Sequence, residues 1–469
     1  MPTFSLGAAL MFAAPLCLLV IRLLFQKWQA WRLEEWVHEQ LQVAEFRYAG
    51  NIGLEERLRL RATENRRLRE AFGINNSLTT TSSSEHWAFL RRASWLLKRP
   101  DRNWEELYRI AEDFLGDEVN ASVKEIGYGL RLAESVRCMV LAVVLFDSFG
   151  AEPSSIPRAH LVTITREINE QWLRSKRDPA GVAPSSLLYS TIEALNIVSP
   201  FPNTKSVVLS GPEVLSIIMP QYETLWRVVL LTFVTAYHHQ PDAYPDAVQR
   251  TADVPACLGH PAREKEALKL AKEGLRLYPS NKHLYRAAPS CLTSLEGSTS
   301  SNNSGNSSTQ QTGSTAARAA DILALHRHPA IWGGEGDALA FRPARFDDGA
   351  LTDLQRRAYA PFSHPPHRCP AAGTLSSSSL SSSAAAGARG TSRTTDANGN
   401  PFGERMIVVL VVALGRALGR DKGRVVFGEE GGAKRKVGGK RFFAENEPLP
   451  TGRDEMEGWL WERYREKDE

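Results

Sequence analysis

Cysteine is scarce in this chain. There are five in 469 residues (Cys17, Cys138, Cys257, Cys291 and Cys369), odd in number, widely spaced and without a Cys-x-x-Cys pair. That pattern argues against a disulfide framework or a structural zinc site and fits reduced thiols in a cytosol-facing protein. Charge of one sign is also in short supply: 57 Lys and Arg against 53 Asp and Glu leave +4, too small an excess over this length to argue for a nucleic-acid partner. No Gly-x-Ser-x-Gly elbow is present. Gly334-Glu335-Gly336 lacks the strand and helix that a nucleotide loop needs. His238-His239 and His326/His328 have no acidic cluster at metal spacing. No internal repeat is visible. What remains is ordinary globular composition, 42% hydrophobic and 23% charged. The length allows about three domains of ~150 residues or one large one.

The N-terminus has the longest apolar run. From Phe4 to Ile21 nearly every residue is apolar, and only Pro15 and Arg22 interrupt before Phe25. About 20 such residues cross ~30 Å of hydrocarbon as a helix. Arg22, Lys27 and Arg32 follow the run and no basic residue precedes it, so the positive-inside rule leaves the bulk of the chain in the cytosol. Residues 1–25 are therefore expected to be a membrane anchor, with Trp28, Trp31 and Trp36 near the membrane exit.

Residues 26–469 read as one large helix-rich body. The spacing of Leu90, Trp95 and Leu96, and of Met139, Val140, Val143 and Val144, is helical. Short strands are expected near Leu284–Arg286 and Arg424–Phe427. Residues 293–314 and 373–400 are Ser/Asn/Thr/Gly and Ser/Ala/Gly tracts. They cannot bury enough apolar surface to offset their ordering entropy, and are expected to be disordered insertions. The expected fold class is mainly α with small β-sheets.

Four blocks carry the chemistry. Glu273 and Arg276 lie three apart on a helical segment that Pro279 stops, so carboxylate and guanidinium share one face and can pair. Next come Phe341-Arg342-Pro343-Ala344-Arg345-Phe346 and then Pro361 to Ala371, with Phe362, His367 and Cys369. Upstream, Pro220-Gln221-Tyr222-Glu223-Thr224 places an acid beside an alcohol within an apolar helix.

In this order and spacing the blocks resemble the cytochrome P450 superfamily, specifically its membrane-anchored fungal-type members. The resemblance implies the P450 fold and heme b, with Cys369 as the axial thiolate ligand. It implies a structural cluster of Glu273, Arg276 and Arg345, and Glu223 and Thr224 as the pair that delivers protons to oxygen. Trp87 and Arg91 match the family's WxxxR; with Arg286 and His367 they are expected to hold the heme propionates, and Phe362 opens the cysteine loop. The chain departs from the family pattern at Ala344 (Glu), Pro365 (Gly) and Gln221 (Gly), and by the tract after Cys369. The implied activity is insertion of one oxygen atom from dioxygen into a lipophilic small molecule. The implied partner is NADPH-cytochrome P450 reductase and the implied location the endoplasmic reticulum membrane. The alternative is a non-catalytic, degenerate heme-binding relative.

Overall fold

The computed structural model describes residues 6–99, 102–125, 129–178, 181–204, 206–240, 261–287, 318–372, 402–427, 436–437, 440–441 and 447–464. Both low-complexity tracts, 293–314 and 373–400, lie outside the described residues.

Helices dominate. In chain order they are α1 (Leu6–Ala44), α2 (Leu54–Glu64), α3 (Arg66–Phe72), α4 (Ser83–Leu97), α5 (Trp104–Glu125), α6 (Leu132–Phe149), α7 (Arg158–Arg177), α8 (Ser186–Glu193), α9 (Gly211–Val234) and α10 (Pro261–Leu277). Four short helices follow: α11 (Ile322–Arg327), α12 (Pro329–Trp332), α13 (Glu335–Leu339) and α14 (Asp353–Ala358). The last two are α15 (Phe402–Leu418) and α16 (Arg453–Met456). Strands are short: β1 (Gly129–Arg131), β2 (His283–Arg286), β3 (Arg318–Asp321), β4 (Gly423–Val426), β5 (Lys436–Val437), β6 (Lys440–Arg441) and β7 (Leu460–Arg463). All pair antiparallel: β7 lies between β1 and β4, β2 pairs with β3, and β5 with β6. The strands expected near Leu284 and Arg424 are β2 and β4.

The core follows from which helices are apolar all round. Residues Cys138–Leu145 of α6 and Met406–Leu414 of α15 are continuously buried, the pattern of interior helices rather than surface ones. α15 packs on α5, α9 and α10, and α6 packs between α5, α7 and α9. Each fully buried Leu, Ile or Val stabilises the fold by about 1.5–3 kcal/mol.

α9 is built for length. The Glu213 carboxylate accepts from the Ser210 amide at 2.9 Å and from its hydroxyl at 2.7 Å, closing the first turn. Pro212 sits in that turn, where no helical amide is needed. Pro220 is interior and removes the donor that the Ser216 carbonyl would otherwise receive. Asn76 replaces it, its Nδ2 donating to that carbonyl at 3.3 Å. The helix therefore continues through Pro220. α9 also crosses α10 closely. A Cβ at Gly274 would lie 2.1 Å from Thr232 Oγ1, so this crossing requires glycine.

α1 is continuous across the expected boundary at residue 25. Leu18–Ile21, Leu23–Phe25, Trp28 and Trp31 are exposed, whereas Val37, Leu41 and Ala44 pack with Ala320, Ile322 and Trp332. Among the described residues, Gly211–His239 is long and apolar enough to cross a membrane, but 61% of its most apolar window is buried inside the body. It is a core helix.

Candidate active site

Arg276 organises the region beneath α10. Its side chain is fully buried, as is that of Glu273. Arg276 Nε donates to Glu273 Oε2 and Nη2 to Oε1, both at 2.7 Å. Nη1 donates to the carbonyls of His326 (2.8 Å) and Ala338 (2.7 Å), and Nη2 also to that of Ala340 (3.1 Å). All five guanidinium hydrogens are thus used. Arg345 approaches Glu273 Oε1 to 3.4 Å through Nε, bringing the three expected residues together. A fourth member was not expected: Asp337 Oδ2 accepts from Arg345 Nη1 at 2.9 Å. The Trp332 carbonyl also accepts from Nη1, at 2.8 Å. This network ties the short helices α11–α13 and the 342–346 turn to the end of α10. It is scaffold, with every charge answered.

The chain entering the cysteine loop is tied to that network through His326, whose Nε2 accepts from the Ala360 amide at 2.9 Å and whose carbonyl accepts from Arg276. The Cys369 amide donates to the Phe362 carbonyl at 2.9 Å and the Ala372 amide to the Cys369 carbonyl at 3.1 Å. Ser363 takes a positive φ of 61°, and the Pro365–Pro366 peptide is cis. Phe362 reaches α15 because position 403 is glycine; a Cβ there would meet its ring at 2.9 Å. Burial pushes the Cys369 thiol up from its ordinary value, while the Ala371 amide, Arg61 and Arg368 favour the thiolate.

Cys369 faces a cavity of about 1260 Å³ walled by α3, α4, α9, the turn after α10 and the cysteine loop. That exceeds the ~300–1,000 Å³ of an ordinary small-molecule pocket. Arg286, Phe362, His367, Glu223 and Thr224 also line it. Beside Cys369 the wall is cationic. Arg61 is depressed to about 9, by burial and by Arg286. Arg286 is depressed to about 10 by burial and lies 4.5 Å from the Phe46 ring centroid. His367 is lowered to about 2 by burial first and then by Arg61, His86 and Arg286. Both ring nitrogens of His367 and Nε of Arg286 are buried without a hydrogen-bond partner among the described residues. His86 contributes from α4, its Nδ1 2.9 Å from Ser77 Oγ. Buried donors and cations of this kind call for an anionic partner. A flat prosthetic group with two carboxylates, coordinated by a thiolate, fits these residues.

Two expectations are corrected. Trp87 and Arg91 do not line the cavity: Arg91 is exposed and Trp87 borders a shallow depression with Gly53, Leu54 and Arg59. The cavity face of α4 carries His86, Phe89, Leu90, Ala93 and Leu97, the neighbouring helical stripe. Glu223 also does not stand free beside Thr224. It is buried in an ion pair with Arg453, whose guanidinium lies over the rings of Trp172 and Trp226. No signal in the local sequence foretold Arg453, which lies 230 residues downstream. Gln221 lines the cavity with its amide turned aside, donating to Ser148 Oγ at 3.3 Å.

No protein-family model and no curated protein sequence matches the chain. Among solved structures it is similar to the cytochrome P450DA heme domain, at 15% identity over 86% of this chain and 81% of that one, with a TM-score of 0.43. It is also similar to wild-type cytochrome P450EX alpha with myristic acid, at 12% identity over 85% and 83%, TM-score 0.43. A third is a 6-coordinated cytochrome P450 from Thermus thermophilus, at 17% identity over 85% of each chain, TM-score 0.45. The mostly helical body with small antiparallel sheets is thus similar to solved cytochrome P450s, while the chemistry of the site rests on its own side chains.

Proposed function

We propose that this chain is a heme-thiolate monooxygenase of the cytochrome P450 type. The observation that carries the reading is the placement of Cys369 on a large cavity beside Arg61, Arg286 and His367, where Arg286 Nε and both His367 ring nitrogens are buried without a partner among the described residues. Heme bound there would supply oxygen activation: one atom of dioxygen enters a C–H bond of the substrate and the other leaves as water, with two electrons and two protons consumed. Cys369 is the ligand, and Arg61, Arg286, His86 and His367 hold the carboxylates. Thr224 on the cavity wall holds a proton near the reacting atoms. Glu223, tied to Arg453, positions α9. The electrons come from NADPH through cytochrome P450 reductase. Residues 1–25 anchor the chain in the endoplasmic reticulum membrane, a reading supported by the exposed apolar surface from Leu18 to Phe25.

The deciding measurement is the reduced, carbon-monoxide-bound spectrum of the purified full chain. A thiolate-type Soret band supports the reading, and its absence overturns it. One observation favours the second reading, a heme-binding relative without turnover: the acid expected to feed protons is committed to Arg453. NADPH consumption and product formation with the reductase separate the two.

A further inference from the structure

The cavity wall is much more basic than the chain. Nine Arg and Lys residues line it against four Asp and Glu, whereas the whole sequence is almost balanced. Arg61 and Arg286 belong to the wall beside Cys369. A second basic set comes from five different places: Arg67 of α3, Lys176 of α7, Arg227 of α9, Lys282 after α10 and Arg453 of α16. The charges that depress Lys176, to about 8, are Arg67, Arg453, Arg227 and Lys282, after burial. Those acting on His367 are Arg61, His86, Arg286 and Arg57. The two sets act as separate groups.

Few acids answer the second set. Arg453 has Glu223, and Glu455 draws on Lys282 electrostatically. Arg67 donates to Ser175 Oγ at 2.9 Å and lies over the Trp172 ring at 4.6 Å. Arg227 donates to the Ser280 carbonyl at 2.9 Å, and its Nε is buried without a partner among the described residues. Lys176 and Lys282 form no ion pair among the described residues. Cations gathered on one wall raise each other's free energy, and an entering anion relieves that repulsion. The rest of the wall includes Phe89, Leu90, Phe201, Ile217, Leu225 and Val228, which suit a hydrocarbon.

We propose that the cavity takes an amphiphile with an anionic head, a carboxylate or a phosphate, and a hydrocarbon body, the head held by Lys176, Arg227 and Lys282. This rests on the cavity being the substrate chamber and names the class of substrate.

The test is calorimetric binding of dodecanoate, dodecan-1-ol, dodecyl phosphate and acetate to the full-length protein as purified, with the reduced carbon monoxide spectrum recorded on the same preparation. Dodecanoate and dodecyl phosphate are each expected to bind at least tenfold more tightly than dodecan-1-ol, and acetate to give no measurable heat. A Lys176→Gln/Lys282→Gln variant should lose most of the dodecanoate preference and keep its affinity for dodecan-1-ol. Equal affinity for acid and alcohol, or a preference untouched in the double variant, overturns the proposal. Acetate binding as tight as dodecanoate overturns the hydrocarbon subsite, and the tighter of dodecanoate and dodecyl phosphate assigns the head as carboxylate or phosphate. A missing Soret band defeats the monooxygenase reading while the binding series still decides this one. An intact band with no acid preference does the reverse.

Discussion

The amide of Cys369 donates to the carbonyl of Phe362 at 2.9 Å, closing an eight-residue loop whose cysteine lines the cavity. The place of residue 369 is set by backbone hydrogen bonds that do not involve its side chain. Cys369→Ala should therefore leave the fold intact and abolish the thiolate-type spectrum and all turnover. Cys138, buried in α6 with its sulfur 3.7 Å from Thr165 Oγ1, should tolerate Ala with the spectrum unchanged.

Glu273, Arg276 and Arg345 should behave as one unit. Replacing any of them with Ala strands buried charge and should cost about 3–5 kcal/mol, seen as a lower urea midpoint and lost heme retention. Asp337→Asn should cost less, about 1 kcal/mol, because that carboxylate is partly exposed. A Glu273→Ala protein with wild-type stability would contradict the cluster.

This cluster shows what was legible in the sequence and what was not. Glu273 and Arg276 are a helical i,i+3 pair, so their contact is local and readable. Asp337 reaches Arg345 only because α12 and α13 fold back onto α10, a tertiary event with no short-range signature. The same division explains α4. Its helix was readable, but which stripe faces the cavity depends on how α4 packs, and the stripe is His86–Phe89–Ala93 rather than Trp87–Arg91. Arg453 and Arg61 escaped notice because nothing near them in sequence marks a buried guanidinium. The core helices and strands β2 and β4 were readable from apolar spacing, because there local pattern and global packing agree.

Stability should respond to pH in two opposite directions. His326 is fully buried, its Nε2 accepting from the Ala360 amide at 2.9 Å, and burial lowers it to about 3. The unfolded chain binds the proton near 6.5, so between about 6.5 and 3 the unfolded state holds more protons and stability falls on acidification. His326→Gln should flatten that part of a urea-midpoint profile. Burial raises Glu404 to about 7. There the folded state holds the proton longer, so stability is lost as pH rises from about 4.5 to 7. Glu404→Gln should be more stable than the parent at about pH 8, and the two should converge at low pH.

Gly274→Ala should destabilise by about 1–3 kcal/mol through overpacking against Thr232, despite the better helix propensity of Ala. Thr232→Ala in the same chain should recover most of the loss. Two independent, additive effects in that double-mutant cycle would mean that the helices do not meet there.

Thr224→Ala should keep heme and substrate binding and divert reducing equivalents into hydrogen peroxide, since a positioned hydroxyl can pass a proton to the reacting oxygen. Unchanged product yield and unchanged peroxide would leave Thr224 a plain wall residue.

The bond between Asn76 and Ser216 sets helical regularity against definition of the cavity. Pro220 keeps one carbonyl of α9 available, and the stretch around Asn76 depends on it for its hold on the middle of that helix. An amide restored at position 220 would compete for the same oxygen. A substitution that perfects α9 as a helix would thus release the segment on its flank, and the cavity would lose a fixed wall. Attempts to strengthen this fold by removing its interior proline would loosen the chamber that the fold encloses.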